Sequence, residues 1–91
     1  MREISFKNRD ILIQLGISIA AMRKINGMSQ EQLAEKADIS RTHLSMIEAP
    51  FISKNFTLDT FLKIADALEA DPISILHSAE VFSLISQKPT I

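Results

Sequence analysis

Residues 29–48, SQEQLAEKADISRTHLSMIE, carry the start and stop signals of two short helices joined by a tight turn. Ser29 followed three residues later by Gln32 is a capping box, which predicts that a helix begins directly after the serine. Ser40 is a second residue of the kind preferred at an N-cap, so another helix is predicted over residues 41–48. The rest of the chain is then expected to support this pair of helices, which predicts an all-α fold.

The second of these helices has one apolar side and one polar side. At about 100° per residue, Leu44 and Ile47 point in one direction. The opposite side carries a cation, two hydroxyl groups and a thioether, in Arg41, Thr42, Ser45 and Met46. Arginine pairs with guanine, hydroxyls bond to several bases and an apolar group contacts the thymine methyl, so this face is suited to reading base edges. An ordinary solvated helix face has a similar composition, and geometry alone leaves both interpretations open.

A longer pattern surrounds the two helices. It comprises Leu15, Gly16, Ile19, Arg23, Gly27, Met28, Ser29, Gln30, Leu33, Ala34, Ile39, Ser40, Leu44, Ser45, Ile47, Glu48 and the run Lys63, Ile64, Ala65, Asp66, Ala67 and Leu68. In these positions, residues 15–68 resemble the helix-turn-helix domain of phage repressor, Cro and restriction-modification controller proteins, usually called the XRE class. The resemblance covers more than half of the 91 residues. It implies a compact five-helix bundle of the lambda-repressor-like DNA-binding type.

The resemblance also implies how individual residues meet DNA. The helix at residues 41–48 would enter the major groove of double-stranded DNA, with Arg41 and Thr42 as the main base readers. Ser45 would be a secondary reader. Met46 would be an apolar contact to a thymine methyl.

Contacts to the DNA backbone are expected on either side of this helix. Gln30 begins the preceding helix, where free amides and the helix dipole favour a phosphate, and it is also expected to buttress a recognition residue. Ser40 is assigned to the backbone as well. In relatives the loop after the second helix contacts the sugar-phosphate backbone, and Lys54 and Asn55 are chemically able to do so here. The alternative is that these last two residues belong to an exposed polar loop without such a role.

Arg23 and Glu48 occupy two positions that form a partly buried ion pair in the family. The resemblance implies the same pair here, joining the first helix to the end of the helix at residues 41–48. Its role is structural. An Arg23 variant that no longer binds DNA would therefore not show that Arg23 touches DNA.

Three further helices complete the expected bundle. The first runs from residue 8 or 10 to residue 26, with Gly27 as its C-cap. Another runs from about residue 57 to 69, and the last begins at Pro72 after an N-cap at Asp71. The chain is thus divided into an N-terminal arm (residues 1–10), a helix-turn-helix DNA-binding domain (11–77) and a C-terminal tail (78–91).

The first predicted helix is apolar on more than one side. Ile17, Ala20 and Ala21 occupy positions that are usually polar in the family. We expect this second face to be covered by the N-terminal arm, by the C-terminal tail or by another chain. A segment of the same chain is the favoured alternative. The tail contains four apolar residues within 81–85 and is the candidate dimerisation surface. Alternatively, it folds back over the first helix.

Charge is distributed unevenly along the chain. The net charge of -1 argues, taken alone, against a nucleic-acid binder. Residues 1–54 hold eight Lys and Arg against six Asp and Glu, however, whereas residues 55–91 hold two against five. Association with DNA would then be local and oriented, with the acidic half turned away from the phosphates.

Several classes of function lack the residues they need. The absence of cysteine excludes disulfide scaffolds and cysteine metal sites, and His43 and His77 have no spacing suited to zinc. The serines lack a plausible neighbouring base and there is no glycine-rich phosphate loop, so neither an enzyme nor a cofactor is expected. The apolar run at residues 11–22 imitates a signal peptide but is interrupted by polar residues, so a cytoplasmic protein without a membrane span is expected.

These observations predict a sequence-specific DNA-binding transcription regulator. We expect a homodimer that reads an inverted-repeat operator. Bound over a promoter it would repress transcription, and bound upstream beside polymerase it would activate transcription. The alternative is a protein-interaction module, such as an antitoxin-like or adaptor subunit, whose DNA binding is secondary or lost. A pI near 6.1 and the unusual apolar positions favour that alternative. A toxin or polymerase is a conceivable protein partner in either case.

Overall fold

The computed structural model describes residues 6–49 and 55–87, and within these the surroundings of the side chains at residues 9–49 and 55–81. All regular secondary structure in this part of the chain is helical. The helices are α1 (Phe6–Ile25), α2 (Gln30–Ala37), α3 (Arg41–Glu48), α4 (Leu58–Ala67) and α5 (Pro72–Gln87). The predicted all-α fold of five helices is confirmed. No helix of the described residues has both the length and the apolar character that crossing a membrane requires.

Polar groups define where α2 and α3 begin, and a tight turn joins the two helices. Ser29 Oγ accepts a hydrogen bond from the backbone N–H of Gln32 at 3.1 Å, and Gln32 Oε1 accepts one from the Ser29 N–H at 2.8 Å. α2 ends at Ala37, and its C-cap Asp38 has a left-handed backbone (φ 58°) that turns the chain toward α3. Ser40 then caps α3 by accepting a bond from the His43 N–H at 3.0 Å.

Two helices extend into the segments predicted as the arm and the tail. α1 begins at Phe6, so the second half of the predicted arm (residues 1–10) is helical. α5 continues to Gln87, so most of the predicted tail (residues 78–91) is the end of this helix and not a separate segment. Neither extension contains glycine or proline, and the first such residue after the start of α5 is Pro89. The remaining parts of the arm and tail lie outside the described residues.

All five helices contribute side chains to the core. Its buried apolar side chains are Leu15, Ile19, Leu33, Ala34, Ala37, Leu44, Ile47, Phe61, Ile64, Ala65, Ala67, Leu68, Ile75 and Ala79. α1 packs against α3 on one side and along α5 on another. The second apolar face of α1 is left largely open, because Ile17 and Ala21 are exposed and Ala20 is half-buried.

Gly16 allows the end of α3 to approach α1 directly. It is buried in α1, and a Cβ atom built at this position would clash with the backbone carbonyl oxygen of Ile47 in α3. Backbone atoms cannot rotate away as the end of a flexible side chain can. The absence of a side chain at Gly16 therefore determines how closely α3 packs on α1.

Gly16→Ala is expected to lower the free energy of unfolding by about 1–3 kcal/mol, the usual cost of overpacking, although alanine is the better helix former. Urea denaturation followed by circular dichroism measures the loss. Ser18→Ala, at a half-buried position of the same helix, is the matched control and is expected to retain wild-type stability. Equal stability of the two variants would show that α3 can move away from α1 without cost.

Candidate nucleic-acid interface

α3 is packed on one side and open on the other. Leu44, Ile47 and Glu48 are buried against the rest of the bundle. Of the four base readers predicted from the sequence, Arg41, Thr42 and Ser45 are exposed, whereas Met46 is half-buried. α3 packs mainly on α1 and α2, so its exposed side faces away from them. The arrangement presents a cation and two hydroxyl groups on one accessible helix face.

One predicted backbone contact, Ser40, lies directly before α3. Ser40 Oγ accepts the bond that caps α3, which leaves the hydroxyl hydrogen free to be donated to a phosphate. Asn55 is exposed in the segment before α4. Lys54, the other loop residue predicted to contact DNA, lies outside the described residues.

A cavity of about 430 Å³ separates the start of α2 from the start of α3. Its lining comes from three helices and the cap of α2, through Arg23, Ser29, Gln30, Glu31 and Arg41. Gln30 and Arg41 therefore lie beside the same opening, although the sequence places them on different helices. A group that enters this cavity meets the amide of Gln30 and the guanidinium of Arg41, beside the carboxylate of Glu31.

Arg23 and Glu48 form a bidentate ion pair beneath this surface. Arg23 Nε donates to Glu48 Oε2 at 2.9 Å, and Arg23 Nη2 donates to Glu48 Oε1 at 3.0 Å. Arg23 Nη1 also donates to the carbonyl oxygen of Met28 at 2.7 Å. The two side chains are only 10% and 4% exposed, so the pair is shielded from water and joins α1 to the end of α3.

Gln30 is linked to the same ion pair. Its Nε2 donates a hydrogen bond to Glu48 Oε1 at 3.0 Å. Sequence reasoning treated Gln30 and Glu48 separately and missed this bond, which joins residues 18 positions apart on two helices. No periodicity or capping signal predicts such a contact, because it depends on how α2 and α3 cross.

The two histidines of the chain lie on different helices. Among the described residues, no group of three or more His, Cys, Asp or Glu side chains is arranged to hold a metal ion. His43 is half-buried on α3 and His77 is exposed on α5, on different helices. The chemistry available on α3 is hydrogen bonding and charge.

Two short helices that present an exposed polar face are also characteristic of a known protein family. A helix-turn-helix family model matches residues 19–73, more than half of the chain. The chain belongs to the XRE-class helix-turn-helix family. The resemblance carried by residues 15–68 is thereby confirmed, and this helix-turn-helix protein is a DNA-binding transcription regulator.

Individual relatives of this helix-turn-helix protein are controller proteins. Control protein C.SmaI of Serratia marcescens is 36% identical over 67 residues, which cover 74% of this chain and 77% of that protein. The restriction-modification controller protein C.AhdI of Aeromonas hydrophila is 30% identical, with a TM-score of 0.65 over 70% of this chain and 94% of that one. A variant of C.Esp1396I bound to its highest-affinity operator site is 29% identical, with a TM-score of 0.72 over 82% and 96% of the two chains.

Proposed function

We propose that this protein binds an inverted-repeat operator as a homodimer and represses transcription when it covers a promoter. The observation that carries the proposal is the division of α3, whose buried side is held by the core and the ion pair while its other side exposes Arg41, Thr42 and Ser45. The likeness to C.Esp1396I in complex with its operator supports the same use of this fold. The controller relatives further favour a restriction-modification system as its setting.

The exposed side of α3 supplies the proposed base contacts. Arg41 donates to guanine, Thr42 and Ser45 bond to neighbouring base edges, and Met46 contacts a thymine methyl. Because Met46 is half-buried, its contact is the smallest of the four.

Phosphate contacts position α3 in the groove. The proposed donors flank the helix and comprise Gln30, Ser40, Lys54 and Asn55. Gln30, Ser40 and Asn55 have polar groups at or near the surface, and Lys54 is assigned from the sequence alone. Such contacts fix the register of the protein on DNA and carry no sequence information directly.

Exposed apolar side chains support association of two copies. Among the described residues, Leu58 is 67% exposed, Leu62 is 45% exposed and Ile73 is 72% exposed, although an apolar side chain gains from burial. Val81, from the tail proposed for dimerisation, is also exposed. A two-fold dimer places its two α3 helices on half-sites about 34 Å apart, one turn of DNA.

Selection of binding sites from random duplex DNA by the purified protein tests the proposal. At near-physiological salt, enrichment of one inverted repeat with half-sites about one helical turn apart is expected. No enrichment by a protein that unfolds cooperatively would overturn the proposal and favour the protein-interaction module.

Arg41→Ala is expected to relax the sequence preference at one base position and to cost about 1–3 kcal/mol of binding free energy, since it removes one base reader. Lys54→Ala, which removes a proposed phosphate contact, should weaken binding to all sequences alike and lower the salt slope by about one. Fluorescence anisotropy on matched operator variants at several salt concentrations measures both effects. Equal loss of specific and non-specific binding in both variants would contradict this division of roles.

A further inference from the structure

An asparagine-glycine pair, Asn26 and Gly27, follows α1 directly. The backbone nitrogen of the residue after an asparagine can attack the side-chain amide, and glycine has no Cβ to obstruct that attack. The sequence contains three asparagines, and Asn26 alone is followed by glycine. The other two precede arginine and phenylalanine, whose side chains hinder the approach. The chain therefore has one pair with the chemistry of rapid deamidation.

Deamidation of this pair needs water and no other reactant. The Gly27 nitrogen bonds to Cγ of Asn26, the bond from Cγ to Nδ2 breaks, and the displaced nitrogen leaves as ammonia with the proton from Gly27. Water then opens the cyclic imide. It yields aspartate when the bond from Cγ to the Gly27 nitrogen breaks, and isoaspartate when the original peptide bond breaks. Both residues are exposed, so water reaches the imide without further opening.

Hydrogen bonds occupy both groups that have to react. The Gly27 N–H donates to the carbonyl oxygen of Lys24 at 3.0 Å. Asn26 Nδ2 donates to the carbonyl oxygen of Leu68, the C-cap of α4, at 3.2 Å. Attack requires that the first proton be lost and that the side chain turn back toward its own backbone, so it competes with both bonds. The pair reacts only after these bonds open.

We propose that Asn26 is a deamidation site that its bond to the end of α4 protects. Local opening at the end of a helix needs less free energy than global unfolding, so the folded protein reacts at a rate set by its open fraction. Each molecule then has a chemical lifetime that depends on how often the end of α1 separates from α4. This inference does not depend on the proposed operator binding.

The products cannot restore the original contact. An aspartate carboxylate has acceptors only and cannot donate to the Leu68 carbonyl oxygen. Its charge also lies beyond the C-terminus of α1, the negative end of the helix dipole. Isoaspartate adds a carbon atom to the backbone between Arg23 and Met28, which are joined by bonds of 3.0 Å (Met28 N–H to Arg23 O) and 2.7 Å (Arg23 Nη1 to Met28 O). Deamidation therefore disturbs the arginine of the buried ion pair.

Peptide mapping by mass spectrometry, after incubation of the whole protein at mildly alkaline pH, tests the site. In urea, deamidation of Asn26 should be at least about tenfold faster than in buffer, because every molecule is open. Asn55, which precedes phenylalanine, is the internal control and should convert more slowly than Asn26 in urea. No conversion of Asn26 in urea would overturn the assignment of the site. Equal rates in urea and in buffer would overturn protection by the fold.

Gly27→Ala tests the proposed attack by the backbone nitrogen. The variant keeps Asn26 but adds a Cβ beside that nitrogen, so deamidation in urea should fall about tenfold or more. Gly27 has a left-handed backbone (φ 71°), and the comparison in urea removes any effect of strain on the fold. Gly16→Ala, at the other glycine of the chain, is the matched control and should keep the wild-type rate. An unchanged rate in Gly27→Ala would overturn the mechanism.

Two measurements on folded protein test the protection directly. Hydrogen exchange of the Gly27 N–H should be at least about tenfold slower than in the unfolded chain, and an amide that exchanges without protection would overturn the proposal. Asn26→Asp, which reproduces the aspartyl product, should lower the Tm by a few degrees, because it loses the bond to Leu68. A Tm equal to that of the wild type would show that this bond does not hold α1 to α4 and would overturn the protective role.

Discussion

Arg23→Ala is expected to lower the free energy of unfolding by about 3–5 kcal/mol, because it leaves the Glu48 carboxylate enclosed without its cation. The exposed fraction of the Glu48 side chain is 4%, so water cannot replace the lost partner. For a domain of this size the loss corresponds to a fall in Tm of more than about 10 °C. Thermal unfolding followed by circular dichroism measures it. DNA binding should disappear with the fold.

Two controls separate the ion pair from general damage to α1. Lys24→Ala removes the neighbouring, exposed cation and should change stability by no more than about 0.5 kcal/mol. The double variant Arg23→Met/Glu48→Leu should be more stable than Arg23→Ala, because apolar replacement removes both charges together. If Arg23→Ala were as stable as Lys24→Ala, the result would contradict the burial of the Arg23–Glu48 ion pair.

Leu44→Ala is expected to lower the free energy of unfolding by about 2–5 kcal/mol through lost apolar burial and the cavity left behind. Leu44 is fully buried in a helix of only eight residues. A helix this short is not stable in water by itself, so its contacts with the core hold it in place. Urea denaturation should show a lower midpoint with an unchanged slope.

Ser45→Ala tests whether the loss of stability predicted for Leu44→Ala is specific to the buried side of α3. Ser45 is the next residue along the helix and is exposed, so its loss should change stability by no more than about 0.5 kcal/mol. It should instead change the base preference measured by site selection. Wild-type stability combined with altered base preference in Leu44→Ala would place Leu44 on the DNA-facing side and contradict the packing described above.

Local signals in the sequence predict the helix-turn-helix with little ambiguity. Ser29 and Gln32 each accept a bond from the backbone N–H of the other residue, three positions away. The capping box can therefore be recognised in the sequence without any knowledge of the tertiary structure. The signal for the start of α5 is also a local contact, because Asp71 Oδ2 accepts a hydrogen bond from the Ser74 N–H at 3.3 Å. Such contacts depend on short-range geometry alone.

The features that the sequence did not predict depend on long-range packing. Leu58, Leu62 and Ile73 are apolar, but the sequence does not show that they remain exposed. Hydrophobic periodicity alone does not say which side of a helix meets the core. The bond from Gln30 to Glu48 depends on the crossing of two helices. α1 begins at Phe6 instead of at the predicted residue 8 or 10, and no end was predicted for α5, which continues to Gln87.

The two sides of α3 have different consequences for how this protein can change over evolution. The buried side, Leu44, Ile47 and Glu48, shares no residue with the exposed side, so exchanges at Arg41, Thr42 and Ser45 leave the scaffold intact. A lineage can therefore acquire a new operator by a few substitutions without first gaining stability. The same separation makes these three positions the natural library for laboratory reprogramming, whereas Met46, being half-buried, would alter packing and recognition together.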